Sequence, residues 1–586
     1  MPNLKRAATV CGPVALLLAV FAGQCILSML GLSATSDEVP HLTAGYSYIK
    51  TGDYRLNYEH PPLAKLIAAL PLLGLELKLD TERRSWSENR EWAFAEGFIN
   101  HNTVPAPTMI FLGRLPMVAL GVLLGLVVYW WARKVYGRGA GLAALGLFAF
   151  CPNMLANSPL VTMDVANCLF TMLTLYAFYH LLAMQTWRLA ALTGCALGGA
   201  LATKMTSFGL FPVMAILGVV FGLMQERRRP DPMKLASRAA VVLAVAAAVV
   251  ALTYRVTEVG QYLASLRYFV GDIAAGGRPA FLFGKYSDHG WFYYFPAAIL
   301  IKTPIPSLMV MGFAVAALAK RRKLALQEWF LAVPVAFFLV AACFSRLQLG
   351  LRYVLQIYPL MFILAGGAVS AVLAAKPLRR NPAALVVAAL LVWYCAGTLR
   401  IFPHYLAYFN ELVGGPRNGY KCLLDSNVDW GQDLPGLAKL LEREGNPEVI
   451  LSFFGTAWPE SYGITYQEFY SYNLANRREP HINSLDPRRE LFVISANSLQ
   501  CLYYPDKTIY DWLKQRKPMT TVGHSLFVYD ITTDSDAQAK LGIMYCNNRL
   551  FTKGERQFRR ALAIDPGNQQ ARQYLDALAQ RPPAAQ

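Results

Sequence analysis

Long apolar runs separated by short polar connections fill the first 400 positions of the chain. The first run, residues 11–32, follows Lys5 and Arg6 and exceeds the hydrophobic region of a signal peptide, so it reads as an uncleaved membrane span. Further runs fall near 108–131, 139–158, 163–183, 189–204, 205–224, 238–255, 296–318, 326–344, 353–374 and 383–402. With roughly 20 residues needed to cross a bilayer, the pattern predicts a polytopic α-helical membrane protein of about eleven transmembrane helices.

The connections alternate in charge. Arg133, Lys134 and Arg138; Arg227, Arg228, Arg229, Lys234 and Arg238; Lys320, Arg321, Arg322 and Lys323; and Lys376, Arg379 and Arg380 all fall on one side of the predicted membrane. Lys and Arg near membrane ends stay on the cytoplasmic side, which places the N-terminus in the cytoplasm and everything after about Phe402 outside it. The opposite connections are poor in Lys and Arg when short, and two are long, at 34–107 and 256–295.

Past the last apolar run the pattern changes. Short β-rich runs at 448–454 and 490–495 alternate with charged helical stretches, the signature of a small α/β domain. Further on, Leu541, Gly542, Gly554, Phe558, Ala561 and Pro566 match the small-and-large spacing of one tetratricopeptide-like repeat, followed by another helix. One repeat is too few for a solenoid, so this segment is expected to pack as a cap. The expected organisation is a membrane module over 1–403, a soluble α/β domain over 404–533, tetratricopeptide-like helices over 534–580 and a disordered tail over 581–586.

Composition agrees with this reading. Of 586 residues 55% are hydrophobic and 16% charged, and the mean hydropathy is +0.32. Soluble, collagen-like, disordered and disulfide-framework classes are excluded. The net charge of +18 sits mostly in the loops just named, so it reports membrane topology and not a nucleic-acid partner. Ten cysteines are spread singly, with no Cys/His spacing that would hold zinc.

Candidate chemistry concentrates in the first long external loop. It opens with Asp37 and Glu38 close to the membrane surface, where burial raises a carboxyl pKa and suits it to take a proton from an acceptor hydroxyl or amine. The same pair could equally begin a helix. Pro61 and Pro62 then start a stretch in which Leu63, Leu66, Ile67 and Leu70 follow helical spacing, as in a helix lying in the membrane interface. Glu59 and His60 stand at its start, where an anion such as a lipid phosphate is favoured.

The order of these elements resembles the C-type, polyprenyl-phosphate-dependent membrane glycosyltransferases, in particular the protein O-mannosyltransferases and the aminoarabinose transferase of lipid A. The resemblance rests on Asp37-Glu38, on Glu59-His60-Pro61-Pro62-Leu63, on the aromatic run from Gly290 to Pro296 leading to Lys302-Thr303-Pro304, and on Leu351-Arg352-Tyr353 running into Tyr358-Pro359. It covers roughly residues 1–400. It implies an inverting transferase that takes a polyprenyl-phosphate-linked sugar on the non-cytoplasmic face of a membrane, expected to be a bacterial inner membrane.

Carried over by position, Asp37 is the general base and Glu38 holds the acceptor or a neighbouring cation. Asp164 opens the fourth helix and serves the same cavity or caps that helix. His60, Lys204, Lys302 and Arg352 are the candidates for the donor phosphate, Arg352 with a fork that can grip two oxygens; snorkelling to lipid headgroups is the competing role for Lys204, Lys302 and Arg352. Trp291, Tyr294 and Trp430 are candidate contacts for sugar or acceptor, while Trp430 and its acidic neighbours could equally be structural. The resemblance to the aminoarabinose transferase also implies a divalent cation near Glu59 and His289, although His60 stands where that family prefers Lys, and no metal is expected to be obligatory. A protein, lipid or glycan could each be the acceptor, and the C-terminal domain offers a site for a protein partner. A transporter of lipid-linked sugars would place broken helices in a repeat at mid-membrane, a pattern this sequence lacks. A non-catalytic envelope scaffold is the other alternative.

Overall fold

A computed structural model of the chain describes residues 2–225, 231–274, 278–321, 323–375, 381–469 and 488–580. The basic residues Arg227, Arg228, Arg229, Arg322, Lys376, Arg379 and Arg380, and the 581–586 tail, lie outside them. The chain forms two compact units, residues 1–430 and 431–586.

The first unit is helical. Among the described residues, eight helices are long and apolar enough to cross a membrane, or nine if one bent pair counts as a single span. Every predicted run forms helix, and the departures from the expected eleven have local causes. The 139–158 run breaks into Arg138–Ala149 and Pro152–Asn157, because Pro152 lacks an N–H and clashes with a preceding turn. At Thr303-Pro304 the same chemistry bends Tyr294–Lys302 against Ile305–Ala319 by 119°. The 189–204 run gives a 15-residue helix, Trp187–Leu201, that passes into a 3-10 turn, Met205–Gly209.

Two ends of the first unit differ in chemistry. At one, Glu328 accepts from Arg321 at 2.6 Å and from Tyr136 at 3.1 Å, bringing the 133–138 and 320–328 connections together. There too, Arg238 stacks on Trp187 and donates to the carbonyl of Gln185 at 3.1 Å. At the other end of the Ala106–Tyr136 and Leu326–Cys343 helices lie the long connections. These carry helix Glu38–Thr51, the short helix Leu63–Ala69, helix Val259–Ala274 and a hairpin of β1 (Ala280–Leu282) and β2 (Lys285–Ser287). In Leu63–Ala69, Ala64, Lys65, Ala68 and Ala69 face the protein, while Leu63, Leu66 and Ile67 are half-buried and the following Leu70 is exposed. The apolar stripe predicted from spacing is therefore the less buried side of the helix.

Residues 404–430 belong to the first unit, so the boundary lies later than the expected 403. Asn410 anchors them, donating through its side chain to the carbonyls of Leu300 at 2.6 Å and Thr303 at 2.8 Å and through its amide to Ile301 at 2.9 Å.

The second unit holds a five-stranded mixed sheet built from β3 (Glu448–Ser452), β4 (Gln467–Glu468), β5 (Glu490–Ser495), β6 (Thr520–Val522) and β7 (Leu526–Asp530), in the order β4-β3-β5-β7-β6. Strand β3 runs parallel to β4 and β5, and β7 runs antiparallel to β5 and β6. The two strongest predicted strands are β3 and β5. Three helices close the unit, Ser535–Asn547, Phe551–Ile564 and Gln569–Ala579, around Ala539, Phe558, Ala561 and Ala571.

Candidate functional site

The site grows from four separate pieces of chain at the end of the first unit that carries the long connections. The first helix stops at Met29, and the chain turns so that the Ser36 amide donates to the carbonyl of Trp430 at 2.9 Å. Asp37 then stands at the N-cap position of Glu38–Thr51 but makes no capping hydrogen bond. Its carboxylate instead approaches Arg352, Oδ2 to Nη2 3.4 Å, and the side chain remains 23% exposed. Burial pushes the Asp37 carboxyl above the usual range, against the pull of Arg352 and Arg278.

Arg352 comes from the 3-10 turn Leu351–Val354, between two membrane helices. Its Nη1 lies 3.8 Å from Oδ2 of Asp164, the first residue of Asp164–Met184. The other Asp164 oxygen accepts from Lys204 Nζ at 2.6 Å. Lys204 sits in extended backbone between Trp187–Leu201 and Met205–Gly209, which lets a lysine reach inward from the end of a membrane helix. Charges thus alternate in one line, Asp37, Arg352, Asp164, Lys204. Aromatic rings support the two cations: Arg352 lies over Trp430 at 4.5 Å and Tyr353 at 5.2 Å, and Lys204 over Tyr353 at 4.9 Å.

Glu38 is placed differently from its neighbour. Its carboxylate accepts from Arg114 Nε at 2.8 Å and Nη2 at 2.6 Å, from the Thr35 amide at 2.8 Å and hydroxyl at 3.1 Å, and from the Val161 amide at 3.0 Å. Burial raises its pKa, but Arg114 and the two amides outweigh burial and hold the carboxyl below the usual range. Arg114 spends its remaining donors on the carbonyls of Met29, Leu32 and Ser33. With its oxygens so engaged, Glu38 holds a neighbouring cation, Arg114, and pins the loop that presents Asp37.

Lys302 is likewise engaged. Buried to 3% exposure, it donates to the carbonyls of Leu406 at 2.7 Å and Asn427 at 2.6 Å and lies over the Phe409 ring. It fastens residues 404–430 and is not among the residues gathered around Arg352. Tyr294 is buried and its hydroxyl accepts from Asn427 at 3.3 Å. Half-buried Trp291 is held through its backbone by the Gln348 side chain. Trp430 is 2% exposed and the Arg352 guanidinium lies over its ring.

His60 lies edge-on to His41, ring centres 5.8 Å apart, and burial and neighbouring cations hold it well below its ordinary pKa, as a neutral ring. Beneath it Lys65 donates to the carbonyls of Asn57 and His60 at 2.5 and 2.8 Å. Glu59 is surrounded by Tyr268, Arg278, Lys65 and Asp272, whereas His289 is exposed on the hairpin side of the loop. Among the described residues no three His, Cys, Asp or Glu side chains gather as ligands for a metal ion.

Arg114, Arg278, Lys65 and Ser426 escaped the sequence reading. For Arg114 the signal was present: a cation inside an apolar helix is costly unless paired. No spacing rule links it to Glu38, 76 positions earlier.

Residues 108–253 match the family model described as dolichyl-phosphate-mannose-protein mannosyltransferase. No curated protein matches the chain. Among solved structures, the chain is similar to ArnT from Cupriavidus metallidurans bound to undecaprenyl phosphate, at 15% identity and TM-score 0.45, over 89% of this chain and 98% of that one. It is also similar to the oligosaccharyltransferase AglB from Archaeoglobus fulgidus in complex with an inhibitory peptide and a dolichol-phosphate, at 12% identity and TM-score 0.41, over 66% and 56%. A third is the protein O-mannosyltransferase Pmt1-Pmt2 complex of S. cerevisiae bound to the sugar donor, at 18% identity and TM-score 0.30, over 45% and 34%. The segment that supplies Arg114, Asp164 and Lys204 to the site is therefore the segment that matches the dolichyl-phosphate-mannose-protein mannosyltransferase family.

Proposed function

We propose that the chain transfers a sugar from a polyprenyl-phosphate-linked donor to an acceptor on the non-cytoplasmic face of a membrane, with inversion at the anomeric carbon and Asp37 as general base. The observation that carries this reading is the line Asp37, Arg352, Asp164, Lys204, which sets a proton acceptor beside two cations suited to a phosphate. The match of residues 108–253 to the dolichyl-phosphate-mannose-protein mannosyltransferase family supports the donor class.

In the proposed step an acceptor hydroxyl or amine bonds to the anomeric carbon as the bond from that carbon to the phosphate oxygen breaks. The acceptor's proton passes to an Asp37 oxygen, and the bonding pair leaves with the polyprenyl phosphate. Negative charge grows on the departing phosphate, where Arg352 and Lys204 would receive it with charge-assisted hydrogen bonds. Asp164 holds the two cations in place while the phosphate is absent. A carboxylate raised by burial is a stronger base than an exposed one, which suits Asp37 to its role. Sugar and acceptor are set by pocket contacts, and protein, lipid and glycan acceptors all present a nucleophile this base would serve.

The test is transfer of a labelled sugar from a polyprenyl phosphate of known anomeric configuration to envelope acceptors, with the product's configuration read by NMR. Inversion is expected; retention would contradict the single displacement.

A further inference from the structure

The segment 424–430 lies beyond the last membrane helix, yet it touches both the residue before the proposed base and the proposed phosphate cation. Ser426 Oγ accepts from Arg352 Nε at 3.3 Å and donates to the carbonyl of Leu349 at 2.8 Å. Asn427 Oδ1 accepts from the Leu351 amide at 3.0 Å, so the backbone on either side of Gly350 is held by consecutive residues of the segment. Trp430 stacks beneath the Arg352 guanidinium, and its carbonyl takes the Ser36 amide, the residue before Asp37. The segment is itself anchored: buried Lys302 donates to the Asn427 carbonyl, and the Asn427 side chain donates to the Leu424 carbonyl at 2.8 Å.

The space around this arrangement is tight. A Cβ on Gly350 would come within 2.5 Å of Ser426 Oγ, so the turn carrying Arg352 closes on Ser426 with no room for a side chain between them. Arg352 has many rotamers, and a guanidinium free to sample them would meet a phosphate less often in the productive orientation. Stacking on Trp430 from one side and the Ser426 bond at Nε leave Nη1 and Nη2 directed at the two acids, the positions a phosphate's oxygens would take.

We infer that Ser426 and Trp430 are positioning residues that hold Arg352, and through the Ser36 amide Asp37, in register for a polyprenyl-phosphate ligand. The inference deepens the proposed transferase reading by assigning to residues 424–430 the orientation of its phosphate cation. It also explains why this segment packs with the membrane unit.

The test compares purified full-length wild type with Trp430→Leu, Trp430→Phe and Ser426→Ala. Two quantities are read, binding of a polyprenyl phosphate without turnover, and the pH profile of release from a lipid-linked sugar. Trp430→Leu is expected to weaken polyprenyl-phosphate binding about tenfold, Ser426→Ala about threefold, and Trp430→Phe, which keeps a ring under the guanidinium, to recover most of the loss. Loosening Arg352 also removes positive charge from beside Asp37, so the acid limb of the profile moves to higher pH in Trp430→Leu. A merely structural role would lower the melting temperature and leave that limb where it is. Unchanged binding and an unmoved acid limb in a folded Trp430→Leu protein would overturn the inference and leave the transferase reading standing. Should wild type release nothing from any donor, the binding series alone decides the positioning role, while the transferase reading falls. If Trp430→Leu does not fold, Ser426→Ala and Trp430→Phe carry the same comparison.

Discussion

Arg352 stands between two carboxylates that belong to different helices, with Nη2 3.4 Å from Asp37 and Nη1 3.8 Å from Asp164. Neither distance is a tight ion pair, whereas Lys204 closes on Asp164 at 2.6 Å. One guanidinium thus has its fork turned toward two acids without being locked to either, which is the state expected of a cation that waits for a third anion. Arg352→Lys keeps the charge and loses the fork; Arg352→Ala loses both. Measured as KM for the lipid-linked donor, Arg352→Ala is expected to cost about 10–100-fold and Arg352→Lys less, from the 1.5–3 kcal/mol of hydrogen bonds to charged groups. Equal KM in all three proteins would remove Arg352 from the phosphate site.

The acid limb of the pH profile reports Asp37. A base works only when ionised, and burial raises this carboxyl above the ordinary range, so kcat/KM falls with decreasing pH at a higher value than an exposed aspartate would give. Removing the Arg352 charge raises the limb further, and Arg352→Ala is expected to show that displacement in addition to its weaker donor binding. A limb that moves to lower pH would contradict the proximity of the two groups.

Glu38 and Arg114 form a buried pair with side chains 0% and 1% exposed. Removing one partner strands a charge away from water. Glu38→Leu or Arg114→Leu alone is expected to destabilise the protein by about 3–5 kcal/mol, and the double variant to recover part of that loss, as read by melting in detergent. Additive losses would show that the two side chains act independently.

His41 is buried in helix Glu38–Thr51, with Nδ1 2.8 Å from the Val161 carbonyl. Burial and nearby Lys65 depress its pKa from the ordinary 6.5 to about 3, so the folded protein keeps the ring neutral where the unfolded chain takes up a proton. The unfolded state then binds more protons as pH drops, and stability is lost between about 6.5 and about 3. Melting temperature against pH is expected to fall through that window, and less steeply in His41→Gln. An identical slope in the variant would assign the loss to other groups.

Much of the membrane architecture could be read from the hydrophobic pattern, because length and apolar composition decide which helices can cross a bilayer. The 119° bend at Thr303-Pro304 was written in the proline, yet a composition window of 20 residues averages over it. Within the site, the members of the charged line were found because each is a charge beside an apolar run, which is expensive unless used. The same signal also flagged Glu38 and Lys302, and sequence could not separate them. What distinguishes the two groups is partners distant in the chain: Arg114 and Val161 for Glu38, the carbonyls of Leu406 and Asn427 for Lys302. Trp430 was read as a sugar contact or a structural ring, and the cation lying over it comes from a part of the chain that no spacing rule links to it.

The central claim is that Asp37 takes the acceptor's proton as polyprenyl phosphate departs, and release of that phosphate measures it most directly. Purified protein is given a panel of polyprenyl-phosphate sugars with envelope extract as acceptor, beside Asp37→Asn, which removes the base and little volume. The account predicts release from one donor by the wild type, reduced about a hundredfold or more in Asp37→Asn while donor binding is nearly retained. Full release by Asp37→Asn, or none by the wild type despite measurable donor binding, would contradict it.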